Sequence, residues 1–187
     1  CYALEEIELP AGVTEIPYKA FAGCTSLREF TVGATVKSVG EEAFSYCRML
    51  NRVRFLGEDT TIGKSCFSNC TSLFEVGLPA KLRELPENTF YDNYLLVILN
   101  LPDTLETIGS GAFSYCSSLR SLTLPASLTT FEDTRYAFSQ CKSLEVIYNL
   151  SAIDLGEIYI EGYYDDPIPV KTELPAEPKS PAKAEID

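Results

Sequence analysis

Apolar residues recur along this chain in fixed columns. The leucines Leu4, Leu27, Leu50, Leu73, Leu96, Leu119 and Leu144 lie 23 residues apart five times and 25 once. Three residues after each comes a second apolar residue (Ile7, Phe30, Val53, Val76, Leu99, Leu122, Ile147). Two further on, six of the repeats place a third (Leu9, Val32, Phe55, Leu78, Leu101, Leu124). Pro10, Pro79, Pro102 and Pro125 close four of these segments. The alternation predicts a short strand with one buried face, because side chains alternate across a strand and a proline cannot donate to a further ladder.

A second apolar pair follows in Val13 with Ile16, Val36 with Val39, Leu82 with Leu85, Leu105 with Ile108 and Leu128 with Phe131; the third repeat keeps only Ile62. Then comes a small residue plus phenylalanine: Ala20-Phe21, Ala43-Phe44, Cys66-Phe67, Thr89-Phe90, Ala112-Phe113 and Ala137-Phe138. That stretch is too short for a full helix and is expected to make a helical or 3₁₀ turn. The unit ends on the column Cys1, Cys24, Cys47, Cys70, Asn93, Cys116 and Cys141. A period of this length is one coil of a solenoid, whose coils must stack because none buries enough surface to fold alone. Stacking at about 4.8 Å is expected to join the first strands into one continuous sheet face.

The pattern Cys-x-x-Leu-x-x-Ile-x-Leu-Pro, then Leu-x-x-Ile-Gly and Ala-Phe, resembles the BspA-like, or Treponema-type, leucine-rich repeat, as in Cys116-Ser117-Ser118-Leu119 through Leu124-Pro125. The resemblance implies an α/β leucine-rich-repeat solenoid, horseshoe-like, mostly β and irregular, with short parallel strands joined by helical or 3₁₀ turns. It also implies a surface or secreted protein of a host-associated microbe, working in adhesion or protein binding. Three departures stand out. Asn93 replaces the column cysteine, the third repeat lacks its proline, and the last repeat carries a two-residue insertion near Glu132 to Tyr136.

Three segments are expected: residues 1–149 as an array of about six 23-residue repeats, 150–164 as a C-terminal cap or strand, and 165–187 as a tail or linker rich in Pro, Glu and Lys. Alternation in Ile158-Tyr159-Ile160 suits a strand covering the last coil. Pro167, Pro169, Pro175, Pro178 and Pro181 suit an extended tail. The chain opens without methionine or a leader, so an upstream region is expected to be missing.

The formal net charge of −12 repels phosphate backbones, so nucleic acid is not an expected partner. No apolar run approaches the roughly 18 residues of a bilayer span, and no transmembrane segment is expected. Histidine is absent, which removes imidazole-based triads and zinc sites. Six of the seven cysteines stand in one repeat column and the seventh, Cys66, in the small-residue column. They read as buried thiols acting as small hydrophobes rather than as disulfides or metal ligands. Cys1 has a second reading as a lipidated residue. Acid pairs such as Glu41-Glu42, Glu58-Asp59 and Asp165-Asp166 lack the spacing of a calcium loop. No catalytic, metal or cofactor residues are assigned, and an enzyme is not expected.

The informative surface is the outward face of the first strands. Its successive rungs read Glu6 and Glu8, Glu29 and Thr31, Arg52 and Arg54, Glu75 and Gly77, Ile98 and Asn100, Ser121 and Thr123, Val146 and Tyr148. Around the fourth and fifth repeats, Phe74, Tyr91, Tyr94, Leu95, Val97 and Ile98 occupy positions that other repeats mostly fill with polar residues. Such a cluster is what a protein-binding site requires. The expected function is therefore a non-catalytic module, extracellular or on a bacterial surface, that binds a protein or glycan ligand, host-derived or microbial. The alternative is a structural spacer or self-assembling unit of a larger extracellular protein.

Overall fold

A computed structural model describes residues 1–158 and 167–175. The first coil contributes one short strand and the second to sixth coils two each. In chain order they are β1 (Glu15–Ile16), β2 (Glu29–Val32), β3 (Ser38–Val39), β4 (Arg52–Phe55), β5 (Thr61–Ile62), β6 (Glu75–Gly77) and β7 (Glu84–Leu85). They continue as β8 (Ile98–Leu99), β9 (Thr107–Ile108), β10 (Ser121–Leu124), β11 (Thr130–Phe131), β12 (Val146–Asn149) and β13 (Val170–Lys171). All pairings are parallel, in registers such as Phe30↔Val53 and Ile16↔Val39 that repeat the sequence columns. The leucine, phenylalanine and cysteine columns of the inner coils are fully enclosed and form one core running the length of the array.

The parallel-strand solenoid is as expected, but the α/β description is not confirmed, because there is almost no helix. The one helix among the described residues is the four-residue α1 (Thr134–Ala137), at the insertion of the last repeat. In the other coils the Ala-Phe segment is a succession of β-turns, such as Ala22 N–H to the Lys19 carbonyl (3.1 Å) and Cys24 N–H to the Phe21 carbonyl (3.0 Å). The physical reason is a pair of left-handed positions bracketing each segment. One column is Lys19, Glu42, Ser65, Asn88 and Gly111; the other is Gly23, Tyr46, Asn69, Asp92, Tyr115 and Gln140, all with φ between 51° and 68°. A right-handed helix cannot pass through such a residue.

Those turns aim backbone groups at the next coil. Lys19, Phe21 and Gly23 N–H donate to the carbonyls of Glu41 (3.1 Å), Ala43 (2.8 Å) and Ser45 (2.7 Å), and the same triple recurs in the next three coils. The solenoid is therefore hydrogen-bonded on three sides, not two. Phenylalanine rings stack beneath this third ladder, with neighbouring centroids 5.2–6.4 Å apart from Phe21 through Phe138.

The column cysteines close a further row. Sγ of Cys47, Cys70, Cys116 and Cys141 donates to the phenylalanine carbonyl of the preceding coil at 3.0–3.2 Å. Burial pushes the thiols of Cys66, Cys70 and Cys116 well up and that of Cys141 up to about 12, so these four stay protonated. Cys1 is exposed, and none of the seven is disulfide-bonded. Asn93 keeps the pattern, its Nδ2 donating to the Phe67 carbonyl at 2.8 Å. Among the described residues its Oδ1 is buried without a partner. An unmatched buried acceptor costs about 1–3 kcal/mol; Asn93→Cys is thus expected to raise unfolding free energy by ~1–2 kcal/mol in urea melts. A loss of stability would show that the amide makes a compensating contact.

The strand faces are interrupted, contrary to the continuous face expected from the repeat. On the first face the sheets are β2-β4-β6-β8 and β10-β12-β13; on the second, β1-β3-β5 and β7-β9-β11. The second interruption has a clear cause. Gly40, Gly63, Gly109 and Glu132 N–H each donate to the strand carbonyl of the preceding coil (2.8 Å in each case). At the junction of β5 and β7 that column holds Pro86, which has no N–H to give. The ladder parts there around a cleft of about 530 Å³ lined by residues such as Ile62, Leu82 and Thr104.

At the C-terminal end, Leu155, Ile158 and Ile168 are buried against the last coil. β13 pairs with β12, as Ile147↔Val170 and Tyr148↔Lys171, and Ile147 N–H donates to the Pro169 carbonyl at 3.0 Å. This edge strand lies in the segment that composition assigns to the tail. Pro169 is tolerated because it sits just before the strand, where no donor is required. Residues 159–166 and 176–187, with the rest of the expected cap and tail, lie outside the described residues.

Candidate functional site

Along the first strand face the outward positions change character midway. In the N-terminal half, Arg52 bridges two acids on adjacent rungs, Glu75 at 2.9 Å and Glu29 at 3.5 Å. The next rung, paired with Glu75, is Ile98. Phe74 stands beside it, its carbonyl accepting N–H from both Val97 and Ile98 at 3.2 Å. Phe74, Tyr94, Leu95, Val97 and Ile98 are each 40–50% exposed. Five apolar side chains thus face solvent on consecutive coils, where charge covers the earlier ones.

Tyr94 and Leu95 fill the turn between the Asn93 and Leu96 columns, closed by Leu96 N–H to the Asn93 carbonyl at 3.2 Å. Three of the six other repeats place Thr25-Ser26, Thr71-Ser72 and Ser117-Ser118 there, and the other three Tyr2-Ala3, Arg48-Met49 and Lys142-Ser143. The turn accepts small and large residues alike, so nothing in the local backbone demands a tyrosine and a leucine. Beside this corner the strand ladder opens: β8 and β10 are not paired. A groove of about 390 Å³ lies between them, lined by Val97, Ile98, Asn100, Ser121 and Thr123, among others.

Tyr91 lies around the corner, on the turn side. It is half-buried, and its ring meets that of Tyr115 at 5.3 Å, tilted by 57°. Burial raises its phenol pKa first, with Tyr115 and Asp92 adding to the shift. The Asp92 carboxylate holds the pKa of the Tyr94 phenol up. The six residues singled out from the sequence therefore fall into three adjoining groups. Phe74, Val97 and Ile98 share the strand face, Tyr91 the turn face, and Tyr94 and Leu95 the edge between them.

Sequence reasoning missed Tyr115, Asp92 and Tyr46. The signal was available in the column Gly23, Tyr46, Asn69, Asp92, Tyr115 and Gln140, where two bulky rings interrupt residues suited to a left-handed turn. Tyr46 and Tyr115 hold φ of 60° and 64°, a conformation that costs a side-chain-bearing residue about 1–2 kcal/mol. Both are exposed, so core packing does not offset that cost.

Among the described residues no group of three His, Cys, Asp or Glu is placed to hold a metal ion, and no helix is long and apolar enough to cross a membrane.

Comparison with known proteins agrees with the repeat geometry. No curated protein matches the chain. Among solved structures, the Treponema pallidum leucine rich repeat protein superposes with a TM-score of 0.63 at 27% identity, over 72% of this chain and 62% of its own. The pneumococcal vaccine antigen PcpA gives 0.60 at 19% identity, over 78% and 35%. A leucine rich cell surface protein of Faecalibacterium prausnitzii gives 0.56 at 23%, over 79% and 46%. The chain thus spans less than two thirds of each of these relatives, and the two below 25% identity speak for the fold alone. The BspA type leucine rich repeat region matches in six copies over residues 1–98 and 84–159, and the chain belongs to that family.

Proposed function

We propose that this chain is a non-catalytic binding module of a bacterial surface or secreted protein, and that it holds a protein partner at the apolar corner of the fourth and fifth coils. Leucine-rich repeats of this type are commonly protein-interaction modules of surface proteins. One solved relative is itself described as a cell surface protein. The observation that carries the reading is a coincidence of place. The exposed side chains Phe74, Tyr94, Leu95, Val97 and Ile98 lie where the ladder between β8 and β10 opens. Apolar area supplies affinity, and the facing edges of β8 and β10, which do not pair with each other, can hydrogen-bond an extended segment. An extracellular setting and a role in adhesion follow from the same reading.

The test compares the native chain with Ile98→Glu and Tyr94→Glu as baits for host extracellular matrix proteins. Both changes are at exposed positions and are expected to leave Tm within about 2 °C, as surface substitutions do. The proteins captured by the native chain should be lost from both variants. Undiminished capture would remove the corner as the site.

A further inference from the structure

We propose that the tyrosine face around Asp92 is a subsite for one cationic side chain, an arginine or lysine of the partner segment; this rests on the binding reading above. Two rings meet there, Tyr91 on Tyr115 at 5.3 Å, beside Asp92, whose carboxylate also holds up the pKa of the Tyr94 phenol two residues on. Aromatic faces attract cations through the ring quadrupole, and an adjoining carboxylate completes the charge match.

Charge complementarity selects the occupant. From Glu84 to Leu119 the chain has no Lys or Arg, while carrying Glu84, Glu87, Asp92, Asp103 and Glu106. Glu87 and Glu106 are neutralised from outside that stretch by Lys64 and Arg83. Asp92 has no such partner among the described residues, and no described Lys or Arg lies over the Tyr91, Tyr94 or Tyr115 rings. Elsewhere the fold does supply its own cation to a tyrosine, as with Lys19 over Tyr18 at 5.0 Å and Lys171 over Tyr148 at 6.0 Å. Among the described residues the Asp92 cluster has the ring faces and the anion but not the cation. Tyr115, retained in a strained left-handed position, supplies one of those faces at a cost to the fold.

The experiment titrates the full chain with a Gly-Ser peptide bearing a single arginine, following tyrosine ring resonances by NMR. Saturable shifts are expected at Tyr91, Tyr94 and Tyr115, absent when citrulline replaces arginine. Asp92→Asn should weaken the response at least tenfold. Tyr115→Asn should abolish it while raising Tm, since asparagine suits the left-handed backbone. Equal response to citrulline, no saturable shift, or saturation by an oligosaccharide instead would overturn the proposal. Protein capture that survives Asp92→Asn but is lost in Ile98→Glu would sink the cation subsite alone; capture indifferent to Ile98→Glu would sink the binding corner.

Discussion

Replacing Gly63 by alanine is expected to lower the unfolding free energy by about 2–3 kcal/mol, the upper range for forcing a methyl group into a packed interior. A Cβ at Gly63 would lie 2.6 Å from the Gly40 carbonyl carbon and 2.8 Å from Glu41 Cα, and closer still to the Glu41 amide nitrogen. These are backbone atoms of the preceding coil, so no rotamer change relieves the overlap. The two coils must separate, and the bond from Gly63 N–H to the Val39 carbonyl lengthens with them. For a chain of this size the loss corresponds to a fall in Tm of roughly 4–12 °C. Gly33→Ala is the control, because nothing lies within 4 Å of a Cβ there. A neutral Gly63→Ala would mean that the coils do not meet at this spacing.

Phe90→Ala carries the larger expected effect, about 3–5 kcal/mol, as for truncation of a buried aromatic. The ring is fully enclosed between Phe67 at 5.8 Å and Phe113 at 6.4 Å, nearly parallel to both. It sits mid-array, and each coil contacts only its neighbours, so the cavity weakens the coupling between the two halves. Pro86 has already removed a ladder bond from the same coil. Urea unfolding should therefore split from one transition into two, and amide exchange should speed up on both sides of residue 90. Phe21→Ala, at a half-buried ring in the first coil, should cost less than Phe90→Ala and leave a single transition. One unsplit transition for Phe90→Ala would show that the array folds as a single cooperative unit.

Much of the fold could be read from the chain because a solenoid writes the same local solution repeatedly. The buried columns Leu27, Phe44, Val53, Cys70 and Leu96 were identified by spacing alone, since each burial position is set within its own repeat. The helical turns were misjudged for the converse reason. Small residue, phenylalanine and cysteine at close spacing suit a helical turn as well as they suit linked β-turns. What separates the two is the left-handed backbone at Lys19 and Gly23, which only glycine, asparagine or aspartate would announce. Lys19, Glu42 and Tyr46 give no such notice.

The candidate site divides in the same way. Phe74, Val97 and Ile98 were visible as apolar residues in outward columns, a comparison made within the repeat. Tyr115 and Asp92 were not, because their meeting with Tyr91 and Tyr94 depends on how neighbouring turns project from the stack. The edge strand at Val170–Lys171 was obscured by flanking prolines, whose composition suggests a tail until the ladder shows where a donor is needed.

By itself the sequence determined the coil length, the inward columns and the chemistry of the row of cysteines with its Asn93 substitute. All of these depend on residues a few positions apart, within one turn of the chain. Only the tertiary structure decided the third hydrogen-bonded side, the open junction between β8 and β10, and the gathering of tyrosines around Asp92. Each depends on the distance and angle between coils, which no single repeat encodes.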